Sequence, residues 1–173
     1  VVNTVFLIRK ITLVMSQDKS DTVWMVEQLK KQYGEVKYCD DSDMSYIGMH
    51  VSVADGKAVI SMKAYLDGVL EEAAVAGRAA SPATSSLFSQ SETQKLSRKE
   101  TASFHSVVAK LLYLATRVRP DILLSVAYLA TKVKSPTHED QQKVERVLKY
   151  LAQTSDKVLH RCGGSGRGSN CVM

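Results

Sequence analysis

Four side chains in the middle of this 173-residue chain carry the chemistry most worth following. Ser106, Lys110, Tyr113 and Arg117 fall within about 60° of one another when wound at 100° per residue. Two cations bracketing an aromatic ring, beside small Ala102 and Ala109, suit phosphate neutralisation by a helix lying close to a duplex backbone. A solvated helix face with a snorkelling tyrosine is the alternative that the same spacing allows. The other polar groups offer less. Asp40, Asp41 and Asp43 lack the glycine and distal glutamate of a calcium loop, so they read as an exposed acidic turn. His50, His105, His138 and His160 show no ligand spacing, and His160-Arg-Cys162 with Cys171 does not make a zinc knuckle. His105 reads as a partly exposed structural histidine on a helix flank. Nucleophile elbow, phosphate loop and dinucleotide fingerprint are all missing. Residue chemistry alone gives no catalyst.

The elements that must hold the cationic stripe are three helices between prolines. Ser97-Arg-Lys-Glu100 is a capping box, and Phe104, Val107, Val108, Leu111, Leu114, Ala115 and Val118 then recur on one helical face. Arg119-Pro120 stops that helix, because proline disfavours the α conformation before it. Asp121 to Lys134 restarts with Ile122, Val126, Leu129 and Val133 inward; after Ser135-Pro136, Val144, Val147, Leu148 and Leu151 line a third helix. Short links predict a compact helical pack.

Upstream the signals are mixed. Val5 to Met15 reads as one apolar strand rather than a signal peptide, which would carry its basic residues first. Asp18 to Tyr33 reads as a helix capped by Ser20 or Asp21, with Val23, Val26, Leu29 and Tyr33 inward, and Gly34 ending it. Val36 to Cys39 is a candidate short strand. Tyr46 to Val53, Asp55-Gly56 and Lys57 to Met62 spell a hairpin, with Gly48 marking a bulge or a close approach inside its first strand. Lys63 to Ala74 is helical, with Tyr65, Leu66, Val69 and Leu70 inward. Ala76 to Gln94 reads as a surface loop or mobile linker, and the Gly/Ser-rich end as a disordered tail. The fold class is therefore α+β: a small antiparallel hairpin or sheet with a flanking helix, then a mostly helical part. The divisions are 1–62, 63–97, 98–156 and 157–173.

Charge is unevenly spread. From Lys95 onward 14 Lys/Arg stand against 6 Asp/Glu, whereas the first 94 residues carry 9 against 12. A basic helical half fits a nucleic-acid surface, and a basic solvated face fits equally. Three cysteines, Cys39, Cys162 and Cys171, make an odd and unpatterned set that points to a reducing compartment, hence the cytoplasm. No run of 18 apolar residues is present, so no membrane partner is expected.

A family resemblance adds to this. Tyr46-Ile-Gly-Met, ISMKAYLDGVLEE, Ser81-Pro82, FHSVVAKLLYLATRVRPDILLSVAYLATKV and SPTHEDQQKVERVLKYLAQTSD together resemble a copia-type retrotransposon reverse transcriptase, from about Val5 to Leu159. The resembling part lies after the polymerase active site: the last palm strands, then the thumb or connection helices. What the resemblance implies is an RNA-directed DNA polymerase whose Tyr46, Ile47, Gly48 and Met49 correspond to the primer grip. It also implies that Lys110, Tyr113 and Arg117 lie along the RNA/DNA template–primer duplex.

One departure is decisive for activity. Family members carry a Tyr-x-Asp-Asp turn where this chain has Ile8-Arg9-Lys10-Ile11. Two-metal polymerisation needs carboxylates, and a lysine there repels Mg²⁺. So no cofactor is expected in this chain, although Mg²⁺ serves the intact family enzyme. A truncated, inactive polymerase fragment follows. The alternatives are a segment of an active polyprotein, completed by the rest of that polyprotein, and a non-enzymatic helical interaction module.

Overall fold

The computed structural model of the protein describes residues 2–8, 11–16, 18–36, 42–54, 57–89 and 94–162, which divide into two compact units. The fold is mixed α+β, as expected from the sequence.

The first unit comprises residues 1–60 and 160–173. Its opening apolar stretch is two strands rather than one: β1 (Val2–Ile8) pairs antiparallel with β2 (Ile11–Ser16), Ile8 opposite Ile11. The reason is the Arg9-Lys10 pair, which interrupts an otherwise β-branched and apolar run. Helix α1 (Lys19–Tyr33) follows. Its cap is Asp18, whose carboxylate accepts from the Ser20 amide at 2.9 Å, ahead of the expected Ser20 or Asp21. Those hydrogen bonds to the charged form hold the exposed Asp18 carboxyl below its ordinary pKa. Gly34, at φ +82°, ends the helix as expected. The expected inner face of α1 holds in part: of its four residues Val26 and Leu29 are half-buried, whereas Val23 is 58% and Tyr33 69% exposed, and Trp24 outside that face is 56% exposed. Met25 is half-buried beside Val26 and Leu29.

A four-stranded antiparallel sheet completes this unit, in the order β3 (Asp43–Tyr46), β4 (Met49–Ala54), β5 (Lys57–Ser61), β6 (Leu159–Cys162). Gly48 is neither a bulge nor inside a strand. Ile47 (φ +49°) and Gly48 (φ +73°) form a two-residue turn that joins β3 to β4, with Tyr46 paired to Met49. Two successive positive φ values are those of a type I′ hairpin turn, which ordinarily selects Asn-Gly; isoleucine in its first position hides the turn from the sequence. Ile47→Asn is expected to raise the stability of this unit by about 0.5–1 kcal/mol, because a β-branched residue is strained in the left-handed region. Guanidinium unfolding of the two chains measures it; an unchanged midpoint counts against the turn type. The expected disordered tail also begins too early, since residues 159–162 are the edge strand β6. Asp43 opens β3 and meets His50 Nε2 at 2.9 Å. Positions 37–39 of the candidate short strand, Asp40, Asp41, Asp55-Gly56 and Cys171 lie outside the described residues.

The second unit, 61–159, is helical. It contains α2 (Lys63–Ala73), α3 (Arg98–Ala115), a 3-10 turn (Pro120–Ile122), α4 (Leu123–Ala130) and α5 (His138–Gln153). Its core is the one the periodicity predicts: Phe104, Val108, Leu111 and Leu114 from α3, Ile122, Val126 and Leu129, and Val144, Val147, Leu148 and Leu151 from α5 are all buried. Both long helices start on capping boxes, Ser97 with Glu100 and Thr137 with Asp140. A bridge between Lys95 and Thr137 ties the two starts together.

The segment 76–89 lacks regular structure and is, of the two expected forms, a surface loop, mostly exposed but anchored at a few points. Leu87 is buried at 5% exposure, the Phe88 ring meets the Tyr128 ring edge-on at 5.3 Å, and Lys143 donates to the Ser89 carbonyl at 2.8 Å. A single leucine among alanines and serines is too sparse a pattern to read as an anchor.

Candidate nucleic-acid interface

Helix α3 presents its outer face because its apolar arc is consumed by α4, α5 and α2. Ala102, His105 and Ala109 are exposed along that face, as is Ser106 by its place in the winding, while Lys110, Tyr113 and Arg117 are half-buried at its border with α2. Spacing therefore locates the stripe, and packing shapes it. The Arg117 guanidinium sits 3.7 Å above the centre of the Tyr113 ring and donates to the Tyr113 carbonyl at 3.3 Å. On the α2 side the Tyr65 ring lies 5.3 Å from Tyr113, tilted by 49°. Tyr65 also donates to the Lys110 carbonyl at 3.4 Å, and burial pushes its phenol pKa up. The Tyr113 ring thus meets a cation on its face and a second, tilted ring beside it, and the cation–ring contact restrains a flexible arginine.

Lys110 has a partner that the sequence does not disclose: its ammonium forms an ion pair with Glu72 of α2. The Glu72 side chain is 65% exposed. Such a surface pair contributes about 0–1 kcal/mol, so a phosphate group competes for the lysine at small cost. Beside this pair opens a groove of about 470 Å³ between α2, α3 and α5, with Val69, Val107, Val144 and Leu148 among its lining. Periodicity gives no sign of it, because it arises where three helices diverge.

The other expected site residues belong to the first unit. Tyr46 is 6% exposed and is a core residue there, a correction to its expected place in a nucleic-acid contact. Ile47 and Met49 are half-buried and Gly48 is exposed, so the turn itself is what that hairpin offers to solvent.

Sequence reasoning missed a second polar centre. Arg119 is 2% exposed and forks its Nε and Nη2 onto the Asp121 carboxylate, at 3.0 and 2.8 Å. Its other edge donates to the Thr154 carbonyl at 2.9 Å, and Nη2 also reaches the Thr154 hydroxyl at 2.6 Å. Tyr150 donates to the same carboxylate at 2.8 Å and receives Lys157 at 3.2 Å. Burial works to raise the Asp121 pKa, but the hydrogen bonds from Arg119 and Tyr150 and the charges of Arg119 and Lys157 outweigh it and hold the carboxyl below its ordinary value. The signal was the Arg-Pro-Asp triplet, which reads locally as a helix stop.

Among the described residues, no three His, Cys, Asp or Glu side chains are grouped so as to hold a metal ion, and no helix is long and apolar enough to cross a membrane. Comparison with protein-family models, with curated proteins and with solved structures gives no significant match.

Proposed function

We propose that this chain is a fragment of a retrotransposon RNA-directed DNA polymerase that contacts the template–primer duplex without polymerising by itself. The observation that carries the reading is the cluster of Arg117 over the Tyr113 ring, with Tyr65 tilted against that ring and Lys110 beside it, at the border of the outer face of α3. Small exposed residues next to two cations let a helix approach a phosphate backbone, and phosphate neutralisation of this kind suits sequence-independent contact. The resemblance of the helical segments supports the same assignment.

Magnesium does not fit the position where the resemblance requires it. Ile8 pairs with Ile11, and the two residues between them in the sequence are Arg9 and Lys10, where the resemblance requires paired aspartates. A cationic pair offers no ligand to a divalent ion.

Fluorescence anisotropy with a labelled RNA–DNA hybrid at low salt tests the binding. Charge reversal at both Lys110 and Arg117 is expected to weaken affinity at least about tenfold. The slope of log affinity against log salt should fall by about 2, one unit for each phosphate that is no longer neutralised. Affinity and slope both unchanged in a variant of unaltered circular dichroism remove the site. Primer extension with Mg²⁺ or Mn²⁺ should give no incorporation, and incorporation by this chain alone would contradict the inactivity.

A second reading, a segment completed by further polypeptide of the same polyprotein, is favoured by the exposure of Val23, Trp24 and Tyr33 on α1. Trp24 and Tyr33 stand on opposite sides of the helix, so apolar surface is left uncovered on more than one side of it, and such surface promotes association. Sedimentation that shows a clean monomer at high micromolar concentration speaks against that reading.

A further inference from the structure

The anchored loop 76–89 and helix α5 together form a place for a phosphoryl group, and we infer that Ser81 is a phosphoacceptor whose phosphate is held by Arg146. This site stands apart from the nucleic-acid face of α3 and does not depend on it.

Ser81 is half-buried and is followed by Pro82 in a segment without regular structure, which is the form in which kinases take their substrates. Its hydroxyl donates to the Ala83 carbonyl at 2.8 Å and accepts from Arg146 Nη2 at 3.2 Å. The adjacent donor of the same guanidinium, Nε, is buried and without a hydrogen-bond partner. Buried donors are rarely left so, because their lost hydration is not replaced.

Arg119 provides a reference within the same unit. It uses the same Nε and Nη2 edge, and there both donors end on the oxygens of one carboxylate. On Arg146 the fork meets an alcohol on one prong and nothing on the other. A phosphoryl group on Ser81 Oγ extends the acceptor by one bond and supplies three oxygens, enough to fill both prongs at once. Lys143 and Lys149 stand one turn to either side of Arg146 on α5, and both lie against this loop, at Ser89 and Gly77. Lys143 is held by Glu139 at 2.8 Å, which leaves Arg146 as the fork aimed at Ser81.

The step is an ordinary phosphoryl transfer. Ser81 Oγ attacks the γ-phosphorus of a nucleoside triphosphate, an O–P bond forms, the bond to the β-phosphate oxygen breaks, and the nucleoside diphosphate leaves. The hydroxyl proton passes to the base of a proline-directed kinase. The bond to the Ala83 carbonyl is exchanged for a charged link that fastens the loop to α5.

Two measurements test this on the full chain. The first is exposure of the folded protein to a proline-directed serine/threonine kinase with Mg-ATP, beside a peptide of residues 76–89. Mass spectrometry is expected to find phosphate on Ser81 in both. A protein left unmodified while the peptide is fully converted overturns the acceptor assignment. The second uses phosphoserine introduced at position 81 during synthesis, in the wild-type chain and in Arg146→Gln and Arg146→Lys. Phosphorus NMR should place the second phosphate pKa below its ordinary value near 6 in the wild type. It should return toward that value in Arg146→Gln, with Arg146→Lys between, and the phosphorylated wild type should melt about 4–8 °C above its own unmodified form. Equal phosphate pKa values in all three chains, or a melting point that falls on phosphorylation, remove Arg146 from the role.

Discussion

Replacing Arg119 with alanine is expected to destabilise the helical unit by about 2–3 kcal/mol, because the guanidinium is buried and hydrogen-bonded on both edges while its partner Asp121, whose side chain is 30% exposed, can take up water in its place. The loss has three parts. Asp121 forfeits a bidentate partner, the Thr154 carbonyl at the end of α5 forfeits its donor, and Tyr150 is left against a carboxylate with no counter-charge nearby except Lys157. Arg119→Lys should recover little of this, because an ammonium cannot reach a carboxylate with two donors and a carbonyl with a third in the geometry that a planar fork allows. The pH dependence has a definite sign. Asp121 has a depressed folded pKa, so its contribution is complete above its unfolded value of about 3.9 and is lost as pH falls through the folded value. The gap between wild type and Arg119→Ala, measured by urea unfolding, should therefore be widest from about pH 5 to 7 and shrink below about pH 4. A gap below about 1 kcal/mol at neutral pH, or one that widens in acid, would mean that the network does not hold the helices together.

The second large effect separates the two units. Phe104→Ala should cost about 3–5 kcal/mol, since Phe104 is 1% exposed and its removal leaves a cavity among helices that are fastened at both ends. Leu29→Ala on α1 removes a half-buried side chain and should cost about 1 kcal/mol. Hydrogen exchange distinguishes the two: Phe104→Ala should speed exchange across α3, α4 and α5, whereas Leu29→Ala should leave those amides alone. Equal costs, or exchange that rises across the whole chain in both variants, would show one cooperative body instead of two.

The asymmetry between the units explains how far the sequence is legible. In the helical unit, apolar residues at three- and four-residue intervals, two capping boxes and two prolines are local signals that tertiary packing reinforces. The buried set of α3, α4 and α5 therefore matches the expected one almost residue for residue. In the first unit the local signals conflict. A basic pair looks like a flaw in one strand instead of the break between two, and isoleucine conceals a turn that Asn-Gly would have announced. The apolar periodicity of α1 finds Val26 and Leu29, which are half-buried, but also takes in Val23 and Tyr33, which stay exposed, because nothing in a 15-residue pattern says how much of a face its neighbours will cover.

By itself the order of residues determined which segments are helical, the capping-box start of α3, and the angular position of Lys110, Tyr113 and Arg117, since each depends on neighbours within one or two turns. Tertiary structure alone decided that Glu72 and Tyr65 close around that stripe, that Arg119 is buried and meets Thr154, and that Arg146 meets Ser81 across 65 residues of chain. Those contacts join positions far apart in sequence. What selects them is the burial of charge and ring surface, a property of the assembled fold and not of any window along the chain.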